Sequence, residues 1–167
     1  MTSTTFIVAG IDPTQADRLR VTGGVSYVAD SKPGYPCRQC LFDAEIGDEM
    51  LLVSHDPFTT TSPYRCASPI FIHSAPCASA DRQGLPVQLT SRKLSVRGFD
   101  SAAMMLDAAL IDGDALSATI ETLLDNPAID HLHVHNASRG CWAARVERRP
   151  DSQRRCPPGV SNPEPTD

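Results

Sequence analysis

Short apolar segments with the character of β-strands recur along the chain, and turn-forming residues separate them. The predicted strands cover residues 5–9, 49–54, 69–73, 93–99, 104–111, 131–135 and 141–147. Several of them alternate apolar with polar residues, which is typical of a strand with one buried face. Strands that follow one another closely in sequence most often lie side by side. The pattern therefore predicts an α+β domain with a mainly antiparallel sheet.

Two helices are predicted between the strands. The first covers residues 13–21, where Asp12 is a suitable cap and Pro13 occupies the first helical position. The second covers residues 114–124, and Asp112 or Asp114 is its predicted cap. Its apolar stripe consists of Leu116, Ile120, Leu123 and Leu124. We expect both helices to pack on one side of the sheet.

The length and composition of the chain predict a single domain. The 167 residues include 41% hydrophobic and 21% charged residues, which is a globular composition. A chain of this length buries enough surface to fold without a metal or disulfides. Residues from 150 onward are rich in proline and lack aromatic side chains, which is typical of disorder. We expect one domain over residues 1–149 and a disordered tail over residues 150–167.

The charge and the apolar runs argue against two classes of function. No run approaches the roughly 20 apolar residues of a membrane span, and the N-terminus lacks the basic region of a signal peptide. We therefore expect a cytoplasmic protein that does not associate with membranes, with its oligomeric state left open. The net charge of −5 argues against nucleic-acid binding, which depends on a basic surface.

Two pairs of potential zinc ligands stand out among the cysteines and histidines. Cys37 and Cys40 are separated by two residues, and His73 and Cys77 by three. Either spacing lets both side chains reach one tetrahedral ion, so the four residues predict a zinc site. Cys37 and Cys40 also have the spacing of a redox pair. A third interpretation is packed thiols, since free cysteine is often buried and disulfides are rare in the cytoplasm.

Three histidines alternate with apolar residues in the predicted strand 131–135. His131, His133 and His135 share one face, because side chains alternate along a strand. The pairs predicted by a hairpin loop over residues 136–140 are His135 with Cys141, His133 with Ala143, and His131 with Arg145. Trp142 then belongs to the opposite, apolar face.

This pairing supports more than one kind of chemistry. A cysteine within hydrogen-bond reach of a histidine is the minimal unit of thiolate catalysis, with Cys141 as nucleophile and His135 as base. The three histidines are also suitable ligands for Zn²⁺, Ni²⁺ or Fe²⁺. The remaining interpretation is a solvent-exposed polar face without a chemical role.

Arg38 and Arg97 form a third candidate site. An arginine between two cysteines and another in a strand are able to hold a carboxylate or a phosphate through paired hydrogen bonds. The alternative is a pair of structural salt bridges. Their candidate partners are Asp43, Glu45 and Asp100.

Several motifs together resemble those of a known family. They are Pro36-Cys37-Arg38 with Cys40-Leu41, Asp43-Ala44 and Gly47, then Pro69-Ile70-Phe71-Ile72-His73, Arg97-Gly98-Phe99-Asp100, His133-Val134-His135-Asn136-Ala137 and Gly140-Cys141. In this order the motifs resemble the bacterial proteins grouped as domain of unknown function 1203. The resemblance extends from about Phe6 to Arg148, and it implies no established activity.

Three functional hypotheses follow. The first is a domain that binds a metal, with zinc the candidate, or a small-molecule ligand in a polar pocket. Its ligand-binding candidates are Arg38, Arg97, His133 and His135, and its metal-binding candidates are Cys37, Cys40, His73 and Cys77. The second is an enzyme that uses Cys141 as thiolate and His135 as base. The third is a non-catalytic interaction domain, so the sequence leaves open whether the protein is an enzyme.

Overall fold

Antiparallel strand pairing organises the described part of the chain. The computed structural model describes residues 6–82 and 84–150. The strands are β1 (Phe6–Ala9), β2 (Val25–Val28), β3 (Glu49–His55), β4 (Ser68–His73), β5 (Asp81–Arg82), β6 (Lys93–Phe99), β7 (Met105–Asp112), β8 (His131–Asn136) and β9 (Trp142–Arg148). The helices are α1 (Pro13–Thr22), α2 (Val87–Thr90) and α3 (Leu116–Leu124). Every pairing between these strands is antiparallel, so the predicted α+β class is confirmed.

The strands form two sheets. The large sheet has the order β5-β1-β9-β8-β6-β7, and the small sheet has the order β2-β3-β4. β1 is therefore an interior strand, with β9 on one side and β5 on the other. The sequence analysis did not predict β2. All four residues of this strand are exposed, so it has no buried face that an apolar pattern would mark.

The main core lies between α3 and one face of the large sheet. The predicted stripe of α3 supplies Leu116, Ile120 and Leu123 to this core. The strand residues in the same cluster include Val96, Leu132, Val134 and Val146. Because side chains alternate along β8, its histidines point to the opposite face of the sheet.

The helix α1 packs in a second cluster, around Trp142. Ala16 of α1 contacts this cluster together with Ile70 and Ile72 of β4. The two longer helices thus lie in separate clusters, whereas one shared side was expected. The reason is that α3 packs on the large sheet, whereas α1 packs between Trp142 of the large sheet and β4 of the small sheet.

The two helices begin differently. The Asp12 side chain caps α1 as predicted, and it accepts hydrogen bonds from the Thr14 and Gln15 N–H groups at 2.9 and 3.2 Å. An aspartate cap for α3 is wrong. A turn of 3₁₀ helix over Gly113–Ala115 comes first and puts Ala115, which has no capping side chain, at the cap position.

The register of the β8–β9 hairpin differs from the predicted one. His135 pairs with Trp142, His133 with Arg145, and His131 with Glu147. The hairpin closes between the Asn136 N–H and the Cys141 carbonyl at 2.9 Å, and a bulge follows between Val134 and His135. A bulge places an additional residue opposite the partner strand, which shifts the pairing beyond it. Trp142 consequently leaves the predicted apolar face and joins the second cluster.

Two expectations concern the limits of the domain. No helix within residues 6–82 and 84–150 is long and apolar enough to cross a membrane. The predicted disordered tail over residues 150–167 lies outside the described residues, apart from Pro150.

Truncation of α3 at the core is expected to destabilise the domain. Leu116 is fully buried, so Leu116→Ala should lower the free energy of unfolding by about 2–5 kcal/mol. Leu110→Ala removes the same atoms from a side chain that is 74% exposed, and its effect should stay within about 0.5 kcal/mol. Urea denaturation followed by circular dichroism measures both. Equal losses in the two variants would contradict the packing of α3 against the sheet.

Candidate metal centre

Four side chains with metal-ligating atoms converge beside the small sheet. Cys37 and Cys40 lie on the turn over residues 36–43, His73 ends β4, and Cys77 follows it by four residues. Their sulfur and nitrogen atoms all lie within 4.8 Å of one another. Cys37 Sγ is 3.7 Å from Cys77 Sγ, and Cys40 Sγ is 3.8 Å from His73 Nδ1. These four residues are called the Cys3His cluster below.

A tight turn brings Cys37 and Cys40 together. The Cys37 N–H donates to the Phe42 carbonyl at 2.9 Å, and the Leu41 N–H donates to the Cys37 carbonyl at 3.1 Å. Leu41 adopts a left-handed conformation with a φ of 57°, which is uncommon for a residue with a side chain. The reversal at Leu41 closes the turn directly after Cys40.

Backbone contacts hold this turn against two other segments. The Arg38 N–H donates to the Phe71 carbonyl in β4 at 2.8 Å, and the Arg38 carbonyl accepts from the Ile11 N–H at 2.7 Å. Gly10 lies so close that a Cβ there would be 2.5 Å from the carbonyl oxygens of Arg38 and Gln39. The turn is therefore fixed to the strand that carries His73.

A carboxylate lies behind His73. The Nδ1 atom of His73 faces the Cys40 thiol, and its Nε2 atom is 3.4 Å from Asp48 Oδ2. Hydrogen bonding to Cys37 raises the pKa of His73, burial opposes this change, and Asp48 adds to the increase. A carboxylate on the far nitrogen is the usual partner of a metal-binding histidine, because it fixes the ring orientation.

The three thiols of the cluster differ in the direction of their pKa shifts. Hydrogen bonds from Cys40 and Cys77 lower the pKa of Cys37, although burial opposes this effect. The pKa of Cys40 and that of Cys77 are raised, first by hydrogen bonding to Cys37 and to a smaller extent by burial. A cation at the centre of the cluster would favour all three thiolates, because each sulfur then gains an opposite charge.

The spacing of the sulfur atoms fits a shared ion better than a covalent bond. A disulfide requires sulfur atoms about 2.05 Å apart, and the Cys37 and Cys77 sulfurs are 3.7 Å apart. Zinc–sulfur bonds of about 2.3 Å place the corners of a tetrahedron about 3.8 Å apart. The donor set of three thiols and one imidazole is one of the usual sets for tetrahedral zinc.

The predicted histidine face is present on β8, but it is buried. His133 is fully buried, and His131 and His135 are nearly so. The loop after β3 covers them, with the Phe58 ring 4.9 Å from the His133 ring. The interpretation as a solvent-exposed polar face is therefore wrong, since all three histidines are buried. No residue pattern signals that the loop after β3 folds over β8. Within residues 6–82 and 84–150, the Cys3His cluster is also the one group whose metal-ligating atoms converge in this way.

Burial keeps these histidines neutral. It lowers the pKa of His133 to about 2, and the neighbouring His131 and Arg145 add to the effect. Burial also lowers the pKa of His55 and that of His135 to about 4. Neither ring nitrogen of His133 has a hydrogen-bond partner in the described part of the chain. Protonation of this ring is therefore costly in the folded state.

Cys141 lies beside Arg38 and not against His135. Its Sγ accepts a hydrogen bond from Asn136 Nδ2 at 3.3 Å, and it interacts with the Arg38 guanidinium. His135 hydrogen-bonds through Nδ1 to the Gly140 carbonyl at 2.9 Å. Among the described residues, no hydrogen bond joins Cys141 to His135. The assignment of Cys141 as thiolate and His135 as base stays a prediction.

The two candidate arginines have different hydrogen-bond partners. Arg97 is opposite His133 in the large sheet and donates from Nε to Ser95 Oγ at 3.2 Å. Arg38 is 1% exposed and donates from one terminal nitrogen to Gln88 Oε1. Both guanidinium charges act on His135 and add to the effect of burial, which lowers its pKa. A ligand held by both arginines stays a prediction.

The acidic partners considered for these arginines are engaged elsewhere. Asp43 pairs with Arg92 at 2.7 Å, and Glu45 pairs with Lys32. Asp100 accepts backbone N–H groups within its own turn. The salt-bridge interpretation of Arg38 and Arg97 is thus wrong for these three carboxylates.

The fold and the Cys3His cluster define the chain as a single α+β domain with a potential metal centre. Its residues 34–148 match the family described as Protein of unknown function (DUF1203), and the chain belongs to this family. The resemblance of the sequence motifs to this family is therefore confirmed, and the matched segment contains the entire cluster. No curated protein and no solved structure matches the chain.

The buried histidines are expected to make stability depend on pH. An unfolded histidine titrates near about 6.5, while the pKa of folded His133 is about 2. As the pH falls below about 6.5, the unfolded chain binds a proton that the folded chain does not, and stability decreases. His133→Leu should reduce this slope by up to about 1.4 kcal/mol per pH unit. Urea unfolding between pH 7 and pH 4.5 measures the slope, and identical slopes in both proteins would contradict a neutral, buried His133.

Proposed function

We propose that this protein is a zinc-binding domain in which the Cys3His cluster holds one Zn²⁺ ion. The observation that supports the proposal is the convergence of four zinc-type ligand atoms within 4.8 Å. Thiolate and imidazole are the donors that zinc prefers, whereas magnesium and calcium prefer oxygen. The two cysteines on the turn contribute one half of the set, and His73 with Cys77 contribute the other half.

The proposed site is structural. Four protein ligands complete a tetrahedral shell and leave no open position for a substrate, which distinguishes structural from catalytic zinc. Cys37 and Cys40 are also buried, so solvent has little access to their sulfur atoms. When bound, the ion supplies a cross-link and charge neutralisation for the thiolates.

The cross-link would join parts of the chain that have little regular structure of their own. The turn over residues 36–43 lies between β2 and β3, and Cys77 lies in the irregular segment after β4. Both depend on backbone hydrogen bonds, such as that from Arg38 to Phe71 in β4. A bound ion therefore stabilises the edge of the domain, a role that is compatible with an interaction domain as well as with a ligand-binding one.

Removal of a cluster thiol is expected to abolish zinc binding. The intact protein should carry about one zinc ion per chain after gel filtration, and Cys37→Ser should carry almost none. Cys66→Ser is the matched control, because Cys66 is exposed and lies outside the cluster. Elemental mass spectrometry gives the zinc content. Substitution of cobalt for zinc gives a second measurement on the wild-type chain, since tetrahedral cobalt with thiolate ligands has characteristic visible absorption. Absence of both signals, or equal loss of zinc from both variants, would contradict the proposal.

Loss of the carboxylate behind His73 is expected to weaken zinc binding without removing a ligand. In the wild-type protein, Asp48 Oδ2 accepts a hydrogen bond from the Glu45 N–H at 2.9 Å. Asp48→Asn retains an oxygen that can accept this hydrogen bond, but it removes the charge opposite His73 Nε2. The zinc affinity should decrease by about 10–100-fold. Glu49→Gln removes a charge from the neighbouring exposed residue and serves as the control. Competition with a zinc chelator measures the affinities, and equal values for Asp48→Asn and Glu49→Gln would refute the role of Asp48.

A further inference from the structure

A cavity of about 580 Å³ lies beside the turn that carries Cys37 and Cys40. Its volume is within the range of small-molecule sites, which is roughly 300–1,000 Å³. Its lining combines Arg38, Arg92 and Arg139 with aromatic rings, aliphatic side chains and the Cys141 thiol. The cavity thus lies between the small sheet, the cysteine-bearing turn and the β8–β9 hairpin.

A buried cation that forms no direct ion pair with a carboxylate in the described part of the chain lines this cavity. Arg38 is 1% exposed, and its Nε atom has no hydrogen-bond partner in the described part of the chain. Its hydrogen-bonding neighbours are the Gln88 amide and the Cys141 sulfur. Asp43, which pairs with Arg92, compensates part of the charge without a direct ion pair to Arg38. A buried guanidinium is costly unless an anion compensates its charge. Arg38 therefore carries unused capacity to bind an oxyanion, for which its planar fork is suited.

Two further arginines make the cavity positive. Arg92 lies on the lining, although Asp43 already pairs with it at 2.7 Å. Arg139 is exposed, and among residues 6–82 and 84–150 it forms no ion pair. The cavity lining includes no aspartate or glutamate. In a chain of net charge −5, this local excess of positive charge favours an anionic ligand.

Aromatic rings form another wall of the cavity. Tyr35 lies edge-on to Phe71 with ring centroids 5.1 Å apart, and Tyr27 lies edge-on to Phe71 at 5.5 Å. Ile70 and Leu52 add apolar surface beside these rings. This wall is suited to a flat apolar group, because aromatic faces and edges pack well against planar rings.

We propose that this cavity binds a small aromatic acid. Its carboxylate or phosphate group would lie toward Arg38 and Arg139, and its ring would pack against Tyr35 and Phe71. The arginine fork binds either oxyanion through the same paired hydrogen bonds. The proposal does not depend on zinc, because none of the four ligands of the Cys3His cluster lines the cavity.

Calorimetric titration of the full-length chain with benzoate and with phenyl phosphate tests this proposal. At least one of the two should bind, and the stronger one identifies the preferred oxyanion. Benzyl alcohol has the ring without the charge and should bind at least tenfold more weakly, which is about the contribution of one charged hydrogen bond. Binding should also shift the nuclear magnetic resonance signal of the Arg38 Nε–H group, since this atom lacks a partner in the described chain.

Two variants identify the site. Arg139→Gln should lower the binding affinity for the acid about tenfold, because it removes one charged contact from an exposed position. Arg18→Gln removes an arginine from the exposed surface of α1, outside the cavity, and should leave the affinity unchanged. The proposal is overturned if neither acid binds, if benzyl alcohol binds equally well, or if the two variants lose affinity equally.

Discussion

The backbone of Arg38 is hydrogen-bonded on both sides, and this double attachment positions most of what is chemically notable in the molecule. Its N–H bonds to β4 and its carbonyl bonds to the segment between β1 and α1. The attachment holds Cys37 and Cys40 next to His73, which β4 carries at its end. It also directs the guanidinium toward the cavity and Cys141. Arg38 thus lies between the Cys3His cluster and the positively charged cavity.

Histidines in this domain have two different chemical characters because their surroundings differ. His73 lies among the cluster thiols with a carboxylate near its Nε2 atom, and Cys37 together with Asp48 raises its pKa. His133 is enclosed by Phe58, Phe99 and other imidazoles, and burial lowers its pKa to about 2. A neutral, dry imidazole of this kind contributes shape and packing more than charge. Residue type alone therefore does not identify which histidines are available for chemistry.

The sequence predicted the elements with strong periodicity and the two ligand pairs of the Cys3His cluster, because each of these depends on local spacing. Cys37 and Cys40 are three residues apart and meet through a single turn, whereas they meet His73 only because the fold attaches this turn to β4. The burial of the histidines was not predictable in this way, since it depends on a loop more than 70 residues before His133. The register of the β8–β9 hairpin was missed because no residue type signals the bulge. The cavity was missed because Arg92 and Arg139 reach it only through the tertiary fold.

The attachment of the turn to Gly10 and Ile11 extends the domain upstream of the segment that matches the family. The family match begins at residue 34, but β1 lies in the interior of the large sheet and pairs with β9. A fragment that starts at residue 34 would expose the edge of β9 and leave the Arg38 carbonyl without its Ile11 donor. It would also lose the close packing of Gly10, where any side chain would collide with the Arg38 and Gln39 carbonyls. The segment that matches the family is therefore shorter than the segment that these contacts join into one domain.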